Sequence, residues 1–185
     1  KILDPLGMTN SSFRLADFDP DDLAMPYHYN NNTEQYVPYG HYGYPDWPAG
    51  TLRTSVLDLA TFLRAHSNSG TTGGVQILSP STVAEMHTVQ FPAQDPQGLC
   101  FYYLNTNYAG TLIGHDGGDP GVFTDMYFRP SDGTGVILLV NGDAKWAWYS
   151  DVWERLWAEA AGMSSAWAHL GKGIAGTNGR PYLSG

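Results

Sequence analysis

TLIGHDGGDPGVFTDMYFRPSDGTGVILLVNG, Thr111 to Gly142, decides the fold, because it strings β-rich segments together with turn residues between them. Residues 110–114, 122–129 and 134–141 carry the β-branched and aromatic side chains that suit a pleated surface, and 98–104 upstream is a fourth such segment. Pro130-Ser131-Asp132-Gly133 is a hairpin signal between the last two. The expectation is an antiparallel meander. Its final run, Val136-Ile137-Leu138-Leu139-Val140, does not alternate, which predicts a strand buried on both faces and central in its sheet. In the meander that strand comes last, so its far edge has no partner within the chain. An exposed apolar edge is an aggregation hazard, and a further strand is expected to cover it.

Outward from the meander, helices flank it. A helix is expected over 54–67, where Thr54 or Ser55 can cap, Asp58 falls in the first turn and Val56, Leu59, Ala60 and Leu63 repeat at helical spacing. Ser79-Pro80 opens a shorter helix with Val83 and Met86 facing inward. A third is expected over 150–161, capped by Ser150, with Val152, Trp153, Leu156, Trp157 and Ala160 on one apolar face and Gly162 at its end. Helices, a meander and a covering helix read as α+β, an antiparallel sheet flanked by helices. Residues 17–53 hold no period for long and are dense in Tyr, Asn, Pro and Gly, so an ordered aromatic loop is expected there. Residues 1–162 are expected to form one folded unit and the Gly-, Ser- and Ala-rich 163–185 an irregular tail.

A chain of 185 residues is long enough to bury a real core. Eighteen acidic residues against nine basic ones, with no basic cluster, remove the footprint of a nucleic-acid binder. No apolar run approaches the roughly 20 residues of a membrane-spanning helix. The single cysteine, Cys100, rules out an internal disulfide framework; inside an apolar β-rich run it is expected to be buried and inert. Two sequons, Asn10-Ser11-Ser12 and Asn31-Asn32-Thr33, matter only on a secretory route. Lys1-Ile2-Leu3-Asp4 has neither an initiator methionine nor a signal-peptide profile, so the chain is expected to begin inside something larger.

Four separated segments carry a family resemblance. Pro5-Leu6-Gly7-Met8; Pro48-Ala49-Gly50 followed by Thr54, Asp58-Leu59-Ala60 and Phe62-Leu63; Gly114-His115-Asp116-Gly117-Gly118-Asp119-Pro120-Gly121; and 136–142 occur in an order and spacing that resembles the serine β-lactamase-related family. That family groups class C β-lactamases, D-alanyl-D-alanine peptidases and family VIII esterases. The resemblance covers about residues 1–162 and implies the C-terminal portion of the β-lactamase/transpeptidase-like fold, in a secreted or periplasmic setting. It further implies a serine hydrolase with three motifs: Ser-x-x-Lys for nucleophile and base, Tyr-x-Asn, and a Lys/His-x-Gly strand beside the acyl site. His115-Asp116-Gly117 is similar to the third. By that resemblance the Gly118 N–H donates to the oxyanion, His115 assists electrostatically or by hydrogen bonding, and Gly117 and Gly118 let the substrate approach the backbone. Acyl transfer needs such groups, since donors aimed at the developing oxyanion can each be worth about 3 kcal/mol.

The departures are as informative. No serine has lysine three residues on; Ser12 is followed by Leu15, Ser55 by Asp58 and Ser81 by Ala84. The formal Tyr-x-Asn matches, Tyr29-Asn30-Asn31 and Tyr103-Leu104-Asn105, lie after Pro5-Leu6-Gly7-Met8, whereas the family's motif precedes it, so both read as coincidence. The nucleophile, the base and the strands that complete the sheet are therefore expected upstream of residue 1 or on a second chain, with a small acyl compound (ester, amide or β-lactam) as substrate. The alternative is a non-catalytic ligand- or protein-binding module on the same fold. No cofactor is called for. His115, Asp116 and Asp119 match no standard metal pattern, and Gly171-Lys172-Gly173 lacks the rest of a phosphate loop. The tyrosines and tryptophan at 26–48 either stack on substrate or pack beneath their own loop; His28, His41, His66, His87 and His169 have no partner pattern.

Overall fold

In a computed structural model the chain is described at residues 1–93, 97–143, 146–160 and 162. The expected tail at 163–185 lies outside the described residues, as does His169. In chain order the elements are β1 (Tyr27–Asn30), β2 (Gln35–Pro38), α1 (Val56–Ser67), β3 (Thr71–Thr72), β4 (Val75–Gln76), α2 (Pro80–Met86), β5 (Tyr102–Thr106), β6 (Gly110–Asp119), β7 (Val122–Phe128), β8 (Gly135–Val140) and α3 (Trp146–Ala160). Single turns of 3₁₀ helix stand at Leu15–Asp17, Pro20–Asp22 and Trp47–Ala49.

The meander forms as expected: β5, β6, β7 and β8 make one antiparallel sheet in sequence order. The β7–β8 turn closes with the Arg129 guanidinium on the Asp132 carboxylate at 2.6 Å and Gly133 at φ 72°. The α+β reading is thereby met. Alternation splits the sheet into two faces. Leu112, Tyr127 and Val136 meet Trp153 and Trp157 of α3 on one, while Ile113 and Phe128 meet Leu63 of α1 and Phe101 on the other. Leu112 and Trp157 are fully enclosed. A third cluster, Leu6, Met8 and Ala65, fastens the N-terminal segment beneath α1.

Capping explains α1. Ser55 Oγ accepts the Asp58 N–H at 3.1 Å, so the helix starts at Val56, not at 54. Asp58 faces backwards: its buried carboxylate accepts the Asn10 N–H and the Ser11 hydroxyl, each at 2.8 Å. One residue of the capped first turn thus pins the N-terminal segment 48 positions away.

Several expectations require correction. Residues 17–53 are not free of regular structure, because β1 and β2 pair as a hairpin there; Tyr27 docks that hairpin on the end of β8, its N–H bonding Asn141 O at 3.1 Å. A further hairpin, β3–β4, turns on Gly73 and Gly74, both at positive φ. α3 begins at Trp146, which places Ser150 inside the helix instead of at its cap. β8 is not central among the described strands: it is the edge, only Val136 is buried, and Leu139 is 38% exposed. Cys100 is exposed, not buried; its φ of 62° turns the chain outward just before β5 begins.

Candidate active site

β6 is ten residues long, and its two ends are supported differently. β5 pairs with it from Gly110 to Gly114 and stops at Tyr102, while β7 runs along its other side from Ile113 to Asp119. The edge of 115–119 therefore faces no strand among the described residues. An unpaired edge presents backbone N–H and C=O groups to whatever lies beside it. The resemblance-derived residues His115, Gly117 and Gly118 all lie on this stretch, on a continuous strand and not in a turn.

His115 is exposed, and its ring lies 4.7 Å from the ring of Tyr102, the first residue of β5 and its last partner along β6. Its Nδ1 donates to the carbonyl oxygen of Asp116. With Nδ1 so engaged, Nε2 is the ring nitrogen left for another partner. The glycines divide by what surrounds them. A Cβ at Gly114 would stand 2.1 Å from Met126 O, at Gly117 2.7 Å from Thr124 Oγ1, and at Gly121, where φ is +70°, 2.7 Å from Tyr27 N. At Gly118 it would meet only Phe123, at an ordinary 3.8 Å. Packing within the chain accounts for glycine at the first three positions and not at Gly118.

Behind the strand, on the α3 face, Asp116 and Asp125 oppose each other across β6 and β7. Asp125 is 8% exposed. Burial first, and the Asp116 charge second, push its carboxyl up to about 7, because an ion there is poorly solvated and faces a like charge. The same surroundings raise the Tyr127 hydroxyl well above its ordinary range.

The far end of β6 is held by the aromatic loop. Tyr44 Oη donates to Asp119 Oδ2 at 2.7 Å, and Tyr42 Oη to Pro120 O at 2.8 Å. Trp47 stands half exposed near the same loop, edge-on to Phe13 at 5.0 Å. Sequence reasoning stopped at the loop as a whole. Tyr44 and Asp119 are 75 positions apart and share no local pattern, so nothing in either segment announces the pair.

Other singled-out residues lie apart from this edge or serve the core. Tyr103 donates its hydroxyl to His87 O and Tyr29 meets Tyr36 edge-on, so the two formal Tyr-x-Asn tyrosines occupy different parts of the fold. His66 and His87, without pattern in sequence, meet at 5.6 Å between ring centres among Phe62, Phe101 and Phe128. Burial, then the neighbouring His87, lowers His66 to about 4. Among the described residues no three His, Cys, Asp or Glu side chains cluster to hold a metal ion, and no helix is long and apolar enough to cross a membrane.

Comparison with known proteins adds the following. The chain matches the Beta-lactamase family over residues 1–177. It is similar to the octameric penicillin-binding protein homologue from Pyrococcus abyssi, at 26% identity and a TM-score of 0.68 over 88% of this chain and 36% of that one. The penicillin binding protein from Bacillus halodurans aligns at 16% identity and a TM-score of 0.62, over 88% of this chain and 47% of that one. A D-stereospecific amidohydrolase from Streptomyces sp. aligns at 22% identity and a TM-score of 0.57, over 77% and 42%. The last two likenesses concern the fold alone. The chain thus spans between 36% and 47% of the length of these structures. Comparison with curated proteins returned no match.

Proposed function

The chain belongs to the Beta-lactamase family, and from that premise we propose that it is the C-terminal part of a serine hydrolase working through an acyl-enzyme on an ester, amide or β-lactam. β6 carries the reading. Among the described residues the edge of 115–119 is open on one side, and it bears His115, Gly117 and Gly118 just past the last β5–β6 pair, Tyr102 with Gly114. A carbonyl laid against that edge would find backbone N–H groups already fixed by the sheet, which is the form of pre-aimed donor that stabilises an oxyanion without reorganisation.

In this reading the nucleophile and base are a Ser-x-x-Lys carried by a segment outside residues 1–185, since no serine of the chain has lysine at that spacing. The serine Oγ loses its proton to the lysine and bonds to the carbonyl carbon. The carbonyl π pair moves onto oxygen, beside the Gly118 N–H. Collapse of the tetrahedral species re-forms the C=O and expels the leaving group, which takes the proton; water then repeats the sequence and releases the acid. His115, its Nδ1–H held by Asp116 O, offers Nε2 as a hydrogen-bonding atom at the mouth of this site. The same outside segment supplies a strand for the open edge of β8, where Leu139 is exposed.

Fluorophosphonate labelling tests the division of labour. The complete protein carrying the upstream serine is expected to label, and residues 1–185 alone are not. Labelling of 1–185 alone, or none of the complete protein, would overturn it.

A further inference from the structure

Among the described residues no strand pairs with 115–119 on its open side, yet an oxyanion donor must be placed within a fraction of an ångström to act. We propose that the loop from Tyr42 to Arg53 braces this strand from its far end, with Tyr44 and Asp119 as positioning residues for the Gly118 N–H. The inference rests on the reading of the β6 edge as the acyl site.

Three separated positions converge on one hydrogen bond. Tyr44 Oη donates to Asp119 Oδ2 at 2.7 Å, and Asp119 directly follows Gly118. Gly50 makes room for it: a Cβ there would stand 1.8 Å from Tyr44 Oη and 3.2 Å from Asp119 Oδ2. Its φ of −156° lies outside the left-handed region, so the case for glycine here is the space it leaves for the Tyr44 hydroxyl. The next residue is tied as well, Pro120 O accepting from Tyr42 Oη at 2.8 Å. The loop that reaches across is itself anchored. Arg53 Nη2 donates to Tyr42 O at 2.7 Å and Nη1 to Thr51 O at 3.2 Å, while the Arg53 backbone exchanges hydrogen bonds with Ser12, each at 2.9 Å. Below the turn, Gly121 lies against Tyr27 and Tyr39 so closely that no side chain fits. The brace therefore runs from the N-terminal segment, through Arg53 and the loop, to the last residue of the strand.

The Tyr44 hydroxyl is pushed up to about 12, first by its hydrogen bond to Asp119, and so remains a donor across the working range of pH. The bond is therefore not lost through ionisation of Tyr44, which separates its positioning role from acid–base participation. The bond is also near the surface, where one hydrogen bond contributes little to global stability. Loss of the brace should appear in turnover while the melting temperature barely moves.

The test uses the complete protein, with p-nitrophenyl acetate turnover, fluorophosphonate labelling and amide exchange of 115–119 as readouts. Tyr44→Phe, Asp119→Ala and Gly50→Ala are each expected to lower kcat about tenfold with KM within twofold, with a pH profile parallel to wild type and with faster exchange at 115–119. Asp119→Asn, which keeps an accepting oxygen, is expected to retain most of kcat, and Tyr44→Phe combined with Asp119→Ala to be no worse than either alone. A wild type that labels, beside a Tyr44→Phe variant with unchanged kcat and exchange, would overturn the brace alone. A wild type that takes up no fluorophosphonate would overturn the hydrolase reading and the brace together.

Discussion

Asp125→Asn should change not the stability of this protein at one pH but the way stability varies with pH. The Asp125 carboxyl is raised from 3.8 to about 7, by burial and then by Asp116. A carboxyl whose folded pKa is raised prefers its neutral form in the fold. Below 3.8 both states are protonated and the site costs nothing; between 3.8 and about 7 the unfolded chain gives up its proton and the folded one does not, so stability falls as pH rises; above 7 the loss is complete. At 1.36 kcal/mol per pKa unit the full loss is about 4 kcal/mol, and relaxation around the charge brings the expected value to about 2–4 kcal/mol. Asparagine has the same shape and no charge to bury. Urea unfolding followed by tryptophan fluorescence, at pH 4 and at pH 8, should show the variant gaining about 2–4 kcal/mol on wild type between the two, or roughly 5–12 °C in melting temperature. Taking the difference between proteins cancels the titrating groups that do not feel Asp125, including His66, whose contribution runs the opposite way. Asp116→Asn should shrink the gap in part. Parallel stability curves for wild type and Asp125→Asn would refute the placement of Asp125 as a buried, charge-opposed carboxyl.

His66, lowered to about 4 by burial and then by His87, has a folded pKa below the unfolded 6.5, so its contribution is intact above 6.5 and is lost as pH falls toward 4; by linkage His66→Phe should remove up to about 3 kcal/mol of acid sensitivity in that window, read by urea unfolding at pH 4.5 and 7. Trp157→Ala empties the fully enclosed centre of the α3 interface and removes the ring beneath Arg129, and should cost about 3–5 kcal/mol by chemical denaturation. Gly114→Ala forces a methyl against Met126 O and should destabilise by more than about 3 kcal/mol, whereas Gly118→Ala meets only Phe123 and should stay within about 1 kcal/mol of wild type in the same measurement. In the complete protein, His115→Ala should lower p-nitrophenyl acetate turnover on the order of 10²-fold with an unchanged melting curve; full activity would remove His115 from the site.

Local patterns announced the elements that rest on local physics. Ser55 and Asp58 mark the start of α1, and 130–133 marks the turn between β7 and β8, because caps and turns are decided by a few neighbouring residues. β1 and β2 escaped notice because Tyr27-His28-Tyr29-Asn30 and Gln35-Tyr36-Val37-Pro38 lack an apolar alternation; they pair against each other and dock on 141–143 instead of on the core. The unbroken run of β8 describes a strand meant to be covered, yet the described sheet ends there, since hydropathy records what a residue suits and not which segment supplies it. His115, Gly117 and Gly118 could be picked out by resemblance. Their supports could not: the carboxylate behind them is buried only once β6 and β7 pair Asp116 with Asp125, and the Tyr44–Asp119 bond exists only after the loop has folded across 75 positions.

A crystal structure of the complete protein after fluorophosphonate labelling tests the central claim most directly. The account predicts phosphorus on a serine outside residues 1–185, with a phosphonyl oxygen roughly 2.7–3.1 Å from the Gly118 nitrogen and the 115–119 edge lying along the adduct. An adduct on a serine within the chain, or one whose oxygens face away from β6, would contradict it.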